Sequence, residues 1–209
     1  LDTETWTWLE APSAQPGWQP SCRHGHSAIW DERRSRLLVF GGGSGSDLLR
    51  SGVDNTEVWE CVIPDCDLVN NLNLLATWKK LQDDEHPVAR LDGDDDSGDE
   101  QQRPEPKLSP SQALCVGRCH DSFRVGHDTI VFVFGSGRPS SNGILGYSLS
   151  QERFFPIDTD GPRTTPRFTF AACFIEKLGY IFVHGGFCAQ DGSTLGDALL
   201  LDVARERHQ

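Results

Sequence analysis

The most constraining feature of this sequence is a motif that occurs three times. In each copy a short apolar run ends in a turn of small residues, and an arginine stands 17 or 18 residues before the turn. Two strand-like runs separated by a polar turn lie between the arginine and the glycine. Self-similarity of this kind indicates a repeat architecture, in which each copy is one supersecondary unit. The three turns are Phe40-Gly41-Gly42, Phe134-Gly135-Ser136 and His184-Gly185-Gly186, and the arginines are Arg23, Arg118 and Arg167.

Each copy predicts up to four short antiparallel strands. The first strands are expected near 26–30, 119–125 and 168–175, and the third near 56–59, 144–149 and 198–202. A fourth strand is marked by Trp78 in one copy and by Phe154 or Phe155 in the next. Repeated four-stranded units form the blades of a β-propeller. A β-sandwich with glycine-rich turns is the alternative.

These residues resemble kelch repeats. The resemblance rests on the paired glycines at 41–42 and 185–186, on Trp59 and Tyr147 in the third strands, and on Trp8 and Trp78 in the fourth. Ser136, Leu200 and the phenylalanines at 154–155 depart from the pattern. We therefore expect an all-β, kelch-type β-propeller of about three blades with partial blades at both ends. The predicted units are the end of a preceding blade at 1–8, blades at 19–82 and 118–157, an acidic insertion at 83–117, and a blade at 163–209 that lacks its last strand.

The resemblance also implies a function. Kelch propellers have about five to seven blades, and most are protein-interaction modules, often substrate receptors joined to F-box or BTB domains. The run Arg23-His24-Gly25-His26-Ser27 is most similar to F-box/kelch proteins. The expected function is thus substrate recognition or an adaptor role, including one for a ubiquitin ligase. We expect this sequence to be part of a longer protein and, as a piece of a ring with open apolar faces, to associate when expressed alone.

The composition indicates which classes of molecule this chain can bind. The net charge of −12 disfavours nucleic acid, because binding phosphates needs a basic surface. The sequence has no apolar run of the ~20 residues that span a bilayer. The cysteines are odd in number, seven, and several fall in predicted strands, which favours reduced thiols in the cytoplasm or nucleus over the alternative, a disulfide framework. We expect a protein partner, with no membrane, nucleic acid, specific small molecule or cofactor.

Candidate binding residues lie in loops, where binding side chains collect on rigid scaffolds. In a propeller, the loops from strand two to three and from strand four to the next blade share one face. The residues chosen in the first set of loops are Arg50, Asp54, Arg138, Ser140, Asn142, Gln190 and Asp191. For the loop arginines the alternative is a solvated surface cation. A structural or channel-lining role is predicted for residues near the start of each repeat: Arg23, His26, Arg118, His120 and Arg167. The alternative for the recurring arginines is a ring that binds an acidic segment of a partner.

No catalytic or metal-binding role is predicted for the other polar groups. The acidic run 92–100 predicts a disordered loop whose removal leaves the blades folded, since clustered like charges have nothing apolar to bury. A calcium loop beginning at Asp92 would have Ser97 in place of the required glycine and Arg103 in place of the ligating glutamate. No cysteine pair has the spacing of a structural zinc site. His184 is expected to pack in the core.

An enzyme is the alternative function. Copper oxidases of the galactose-oxidase type and iron-dependent specifier-type proteins are built on kelch-like rings, and each needs a converging set of metal ligands. The two tyrosines, Tyr147 and Tyr180, fall at strand positions that packing explains. We therefore predict no catalytic residues within this sequence, and an enzyme's site would lie outside it.

Overall fold

The computed structural model describes residues 12–44, 56–62, 75–82, 115–135, 137–138, 143–188 and 190–203. This part of the chain is all-β, as predicted, and contains no helix. Accordingly, it holds no helical segment long and apolar enough to cross a membrane. Its strands are β1 Ser27–Asp31, β2 Arg36–Phe40, β3 Val58–Val62, β4 Thr77–Gln82, β5 Cys115–Val116, β6 Asp121–Val125, β7 Thr129–Val133, β8 Gly137–Arg138, β9 Ile144–Ser148, β10 Arg153–Pro156, β11 Ala171–Ile175, β12 Tyr180–Phe187 and β13 Thr194–Asp202.

The strands form three larger antiparallel sheets. Sheet I has the order β1-β2-β3-β4, sheet II has β6-β7-β9-β10, and sheet III has β11-β12-β13. The pair β5-β8 lies outside them. The first strands β1, β6 and β11 lie where the sequence predicts them. Because each strand pairs antiparallel with the next one along a sheet, successive connections lie at alternate ends of every sheet.

The largest apolar cluster lies between sheets I and II. Sheet I contributes Leu38, Phe40 and Val58, and sheet II contributes residues of β7 and β9 that include Phe132 and Tyr147. All five are fully buried. The Phe40 ring lies 5.0 Å from the rings of both Phe132 and Tyr147 in edge-to-face geometry, which aromatic pairs favour.

A second cluster lies between sheets II and III. Val131, Val133 and Ile144 of sheet II pack with Ile181 and Val183 of sheet III. Alternation along each strand separates these residues from those of the first cluster, so that sheet II buries both of its faces. Its strands β7 and β9 therefore read as continuous apolar runs, whereas β13 alternates and is largely exposed.

The three sheets stack in the same sense. Strand register makes Leu38, Val131 and Phe182 equivalent, and this position belongs to what we call the A face of each sheet. The neighbouring position, Leu37 in sheet I and Phe132 in sheet II, belongs to the B face. The A face of sheet I packs on the B face of sheet II, and the A face of sheet II packs on the B face of sheet III.

The structure shifts the alignment of the second repeat by one residue. Gly42, Gly135 and Gly186 are equivalent, because a Cβ on each would lie 2.7–3.1 Å from the Cβ of His26, His120 and Phe170, respectively. Phe134 therefore occupies the position of Gly41 and Gly185, and it has their left-handed backbone with φ of 54°. The β6–β7 turn is one residue shorter than the corresponding turns. As a result Gly117, and not Arg118, is equivalent to Arg23 and Arg167.

The expected insertion at 83–117 ends earlier than predicted. Cys115 and Val116 form β5, and Val116 is buried in the cluster between sheets I and II. Its apolar side chain contributes to the core, so the deletable segment has to stop before β5. Residues 83–114 lie outside the described residues. They include the acidic run 92–100 and the sequence compared above with a calcium loop.

Candidate functional site at the loop end

One end of the sheets carries the connection from the second to the third strand in every repeat. The segments leading to the first strands return to this end, which we call the loop end. The opposite end carries tight turns at 32–35, 126–128 and 176–179 and, in sheet I, the connection 63–76 between β3 and β4. Segments 19–26 and 157–170 lead to first strands at the loop end and are largely exposed, whereas Ser13 forms a β-bridge with Ala76 beside the start of β4, at the opposite end. The topology thus gathers loops from all three sheets along one edge of a β scaffold.

Arg23 braces the loop end of sheet I. Its guanidinium donates to the Gly41 carbonyl at 2.9 Å and to Glu57 Oε2 at 2.8 Å. Glu57 also accepts a hydrogen bond from Trp59 Nε1 and pairs with Lys80. Partial burial opposes ionisation of Glu57, but the bonds from Lys80, Trp59 and Arg23 together lower its pKa to about 2. The arginine therefore holds the second-strand turn against the start of the third strand.

Arg167 does the same in sheet III. Its Nη1 donates to the Gly185 carbonyl at 3.0 Å, and its two Nη atoms bind the Asp197 carboxylate at 2.7 and 3.0 Å. The hydrogen bond from Arg167 lowers the pKa of Asp197. The guanidinium also lies 5.1 Å from the centroid of the Phe134 ring of sheet II. Because Arg167 is 1% exposed, this geometry supports the structural role predicted for it and leaves no guanidinium to grip a partner.

His120 joins sheets I and II. Its Nε2 shares a hydrogen bond of 2.8 Å with Ser27 Oγ of β1. A serine beside a histidine suggests a nucleophile and its base, but a general base works best with a pKa near the working pH. Burial lowers the pKa of His120 to about 4, against an opposing hydrogen bond with the Gly117 backbone. The pair therefore serves as a link between sheets.

The other predicted positions are distributed along the loop end. His26 is exposed, and burial of part of its ring, Arg23 and His24 lower its pKa. Arg118 directly precedes the left-handed residue Cys119, whose φ is 59°. Gln190 and Asp191 are exposed in the β12–β13 loop, where Asp191 Oδ1 accepts the Ser193 N–H at 3.0 Å. Arg138 lies in β8 opposite Cys115. Arg50, Asp54, Ser140 and Asn142 lie outside the described residues.

An ion-pair cluster that was not predicted from the sequence lies at the opposite end. Arg36, with a side chain 3% exposed, pairs with Asp31 at 3.1 Å, with Glu60, and with Glu152 of sheet II at 2.8 Å. Arg34 also pairs with Glu152, at 2.6 Å. Charged residues that flank a hairpin turn, such as Asp31 and Arg36, are the signal that could have indicated it. The cluster ties sheet I to sheet II below their apolar contact.

Two further predictions concern described residues. His184 is exposed on the A face of sheet III, so the prediction that it packs in the core is wrong. It is equivalent to Phe40, but no described residues cover this sheet as sheet II covers sheet I. The described part of the chain holds no group of three or more histidine, cysteine, aspartate or glutamate residues placed to bind a metal ion. Five cysteines in this part of the chain have free thiols: Cys22, Cys61, Cys119, Cys173 and Cys188.

Comparison with known proteins adds information on the fold. No protein-family model matches the chain, and no curated protein matches it in sequence. Among solved structures it is similar to a novel fungal alcohol oxidase of the AA5 family in complex with copper, with a TM-score of 0.51 and 11% identity. The match covers 86% of this chain and 31% of the oxidase. The chain thus spans less than a third of that protein, and at this identity the similarity shows the fold alone.

Proposed function

We propose that the chain is three consecutive blades of a kelch-type β-propeller and acts as a protein-interaction module through its loop end. The observation that supports this most is the common topology of the three sheets, which brings the connection between the second and third strands of every repeat to one edge. The buried arginines Arg23 and Arg167 hold the bases of these loops, so exposed side chains such as Gln190 stand on a rigid support. Rigid loops reduce the entropy that is lost on binding.

The partner in this proposal is a protein of the cytoplasm or nucleus. The resemblance to F-box/kelch sequences makes it a substrate protein, with the chain as the recognition part of an adaptor, including one for a ubiquitin ligase. Arg138 and Gln190 are the residues that we assign to this contact. An arginine at this end suits a carboxylate or a phosphorylated side chain of the partner.

Paired variants at the two ends of the sheets test the proposal. A double variant Arg138→Ala/Gln190→Ala changes the loop end, and Glu176→Ala/Lys177→Ala changes exposed residues of the β11–β12 turn. Cross-linked partners of the wild-type chain are identified by mass spectrometry, and their affinities are then measured with purified proteins. We expect a loss of about tenfold or more for the loop-end variant alone, as hot-spot side chains give. Equal affinity of both variants would contradict a loop-end contact.

A copper enzyme is the alternative, since the fungal alcohol oxidase is a copper protein. Tyr147, one of its two candidate tyrosine ligands, is fully buried between Phe40 and Phe154. Packing therefore explains the presence of a tyrosine at position 147 without a metal. Incubation of the chain with Cu²⁺, removal of unbound metal and elemental analysis test whether this chain itself holds a copper site. Stoichiometric copper that survives a chelator wash would favour an enzyme with its site in this chain, and the binding-module proposal expects none.

A further inference from the structure

The A face of sheet III is open, and most of its residues are apolar. Register places Cys173, Phe182 and Leu200 in one row across β11, β12 and β13, with Ala171, His184 and Ala198 in the next row. Leu200 is 63% exposed, and Cys173, Ala171 and Ala198 are exposed as well. In sheet I the A-face residues Leu38, Phe40 and Val58 are fully buried against sheet II. The described residues of sheet III therefore present a surface of the kind that is covered elsewhere in the chain.

The B face of sheet I is open at β1, whereas its residues Val39, Trp59 and Cys61 in β2 and β3 are buried. Trp30 is 43% exposed and Ala28 of the same strand is exposed. Trp18, 52% exposed, lies edge-to-face on Trp59 with ring centroids 6.2 Å apart. Two exposed tryptophans at one surface are typical of protein contacts, because tryptophan is enriched at interface hot spots.

These two surfaces are one A face and one B face, the two types of surface that pack together inside the chain. Both contacts inside the chain join an A face to a B face, so a B face is the partner that an open A face accepts. Among the three described sheets one such B face is left, on sheet I. Sheet II, which packs on both of its neighbours, separates sheets I and III within one molecule. A second copy of the chain can supply the missing face.

We infer that the A face of sheet III binds the B face of sheet I of a second copy. The contact is heterologous, because two different surfaces meet. If its rotation closes, two copies form a ring of six sheets held by two such contacts, which is within the range of four to eight blades of known propellers. The surface is distinct from the loop end, so the inference stands or falls separately from the partner proposed above.

Sedimentation velocity of the full chain, from about 1 to about 100 μM, tests the inference in the range of moderate affinities. Leu200→Glu changes the A face of sheet III, and Trp30→Glu changes the B face of sheet I. Both side chains are substantially exposed, and circular dichroism verifies that the variants are folded. Leu178→Glu is the matched control, since Leu178 is 58% exposed in the β11–β12 turn and belongs to neither face. Ala198→Glu provides a second A-face variant.

We expect the wild-type chain and Leu178→Glu to associate, and each face variant alone to have its dissociation constant raised about tenfold or more. An equimolar mixture of Leu200→Glu and Trp30→Glu should form a dimer, because each variant keeps the face that the other has lost. A monomeric wild-type chain, a mixture that stays monomeric, self-association of either face variant as strong as that of the wild-type chain, or an equal loss in Leu178→Glu would each overturn the inference.

Discussion

At the scale of single residues, Arg167 shows how the repeated arginines act. Its guanidinium is buried yet makes four hydrogen bonds, one each to the Thr165 and Gly185 carbonyls and two to the Asp197 carboxylate. A buried cation is tolerated when its donors are satisfied in this way. Recurrence in the sequence pointed to a shared role for Arg23 and Arg167, but it wrongly included Arg118 and could not indicate that this role is internal. The equivalent position in sheet II is Gly117, so sheet II keeps its turn without the brace.

Replacement of Arg167 by methionine should destabilise the fold. The apolar stem is retained, while the Gly185 carbonyl and Asp197 lose their donor, so we expect the free energy of unfolding to fall by about 3 kcal/mol. Arg163→Met is the matched control, because Arg163 is exposed, and it should change stability by less than about 0.5 kcal/mol. Urea denaturation measures both. Equal stability of the two variants would show that the buried guanidinium contributes nothing.

His120 makes the free energy of unfolding depend on pH. Burial lowers its pKa from 6.5 to about 4 in the fold, so between these values the unfolded chain binds more protons. The free energy of unfolding should therefore fall as the pH decreases through this window, by about 3 kcal/mol in total. Glu57, with a pKa lowered from 4.5 to about 2, adds stability that is lost only as the pH falls through that lower window.

Substitution of His120 by phenylalanine tests whether this side chain causes the pH dependence of stability. Phe170 occupies the equivalent position in sheet III, so an aromatic ring is compatible with the site. We expect His120→Phe to flatten the dependence of the unfolding free energy on pH between about 6.5 and about 4, because the imidazole that gains a proton on unfolding is gone. Urea denaturation at a series of pH values measures this slope.

His127→Phe is the control for this prediction. His127 is exposed in the β6–β7 turn, and the two substitutions are chemically identical, so the difference between their slopes reports the effect of the buried position. Any slope that remains in His120→Phe should come largely from His26, whose pKa is also lowered, first by burial. An unchanged slope in His120→Phe would contradict the assignment.

At the scale of the elements, the turn after each second strand requires a left-handed backbone. Gly41 and Gly185 have φ of 62° and 68°, and Phe134 has 54° in the same position. A phenylalanine there is strained, but its ring packs 5.5 Å from Phe170 and beneath the Arg167 guanidinium. Packing between sheets therefore offsets a backbone conformation that normally favours glycine.

Two glycine substitutions separate backbone strain from close approach. A Cβ on Gly41 would lie 2.2 Å from the Gly117 carbonyl oxygen, whereas a Cβ on Gly126 would meet nothing within 4 Å. Both residues have positive φ, at 62° and 67°. We expect Gly126→Ala to cost about 1 kcal/mol and Gly41→Ala to cost at least about 2 kcal/mol more, measured by thermal or urea unfolding. Similar costs would show that the approach to Gly117 is relieved without loss.

Strand positions could be predicted from the sequence, but their exact equivalence could not. Apolar runs next to glycine turns located β1, β2, β6, β7, β11 and β12, because a buried strand needs such a run. Fixed spacing then misaligned the second repeat, since one residue is missing from the β6–β7 turn and Phe134 replaces a glycine. The Arg36 cluster was missed because its members come from separate turns and strand ends, which only the folded chain brings together. The exposure of His184 depends on what covers sheet III, which a local pattern does not contain.

At the scale of the whole molecule, the sheets are coupled through two separate apolar contacts. Each sheet contacts its neighbour, so stability should be divided between the sheets and their interfaces, as in repeat proteins. The contact of sheets I and II has the Arg36–Glu152 ion pair and the Ser27–His120 hydrogen bond in addition to its apolar cluster. Sheet III is joined to sheet II mainly by the second cluster and by the contact of Arg167 with Phe134.

Sheet III should therefore open before the other two. Ile181 is fully buried in the second cluster, and Ile181→Ala should cost about 2 to 4 kcal/mol. We expect faster amide hydrogen exchange throughout β11–β13 in this variant, with the protection of β1–β4 retained. Leu38→Ala, in the first cluster, is the matched control and should instead accelerate exchange in sheet I. Uniform acceleration across all three sheets in Ile181→Ala would indicate a single cooperative unit.

The same-sense stacking of A faces on B faces has a consequence for how such chains change during evolution. A duplicated segment that encodes one whole sheet brings an A face and a B face with it. It can be inserted between two existing sheets with both of its neighbours already suited to it, and the removal of a whole sheet leaves a compatible pair behind. Gain or loss of half a sheet has no such compensation, because it exposes strand edges. Chains built in this way should therefore differ in length by whole sheets, while length changes inside a sheet are confined to loops and turns, as in the shortened β6–β7 turn.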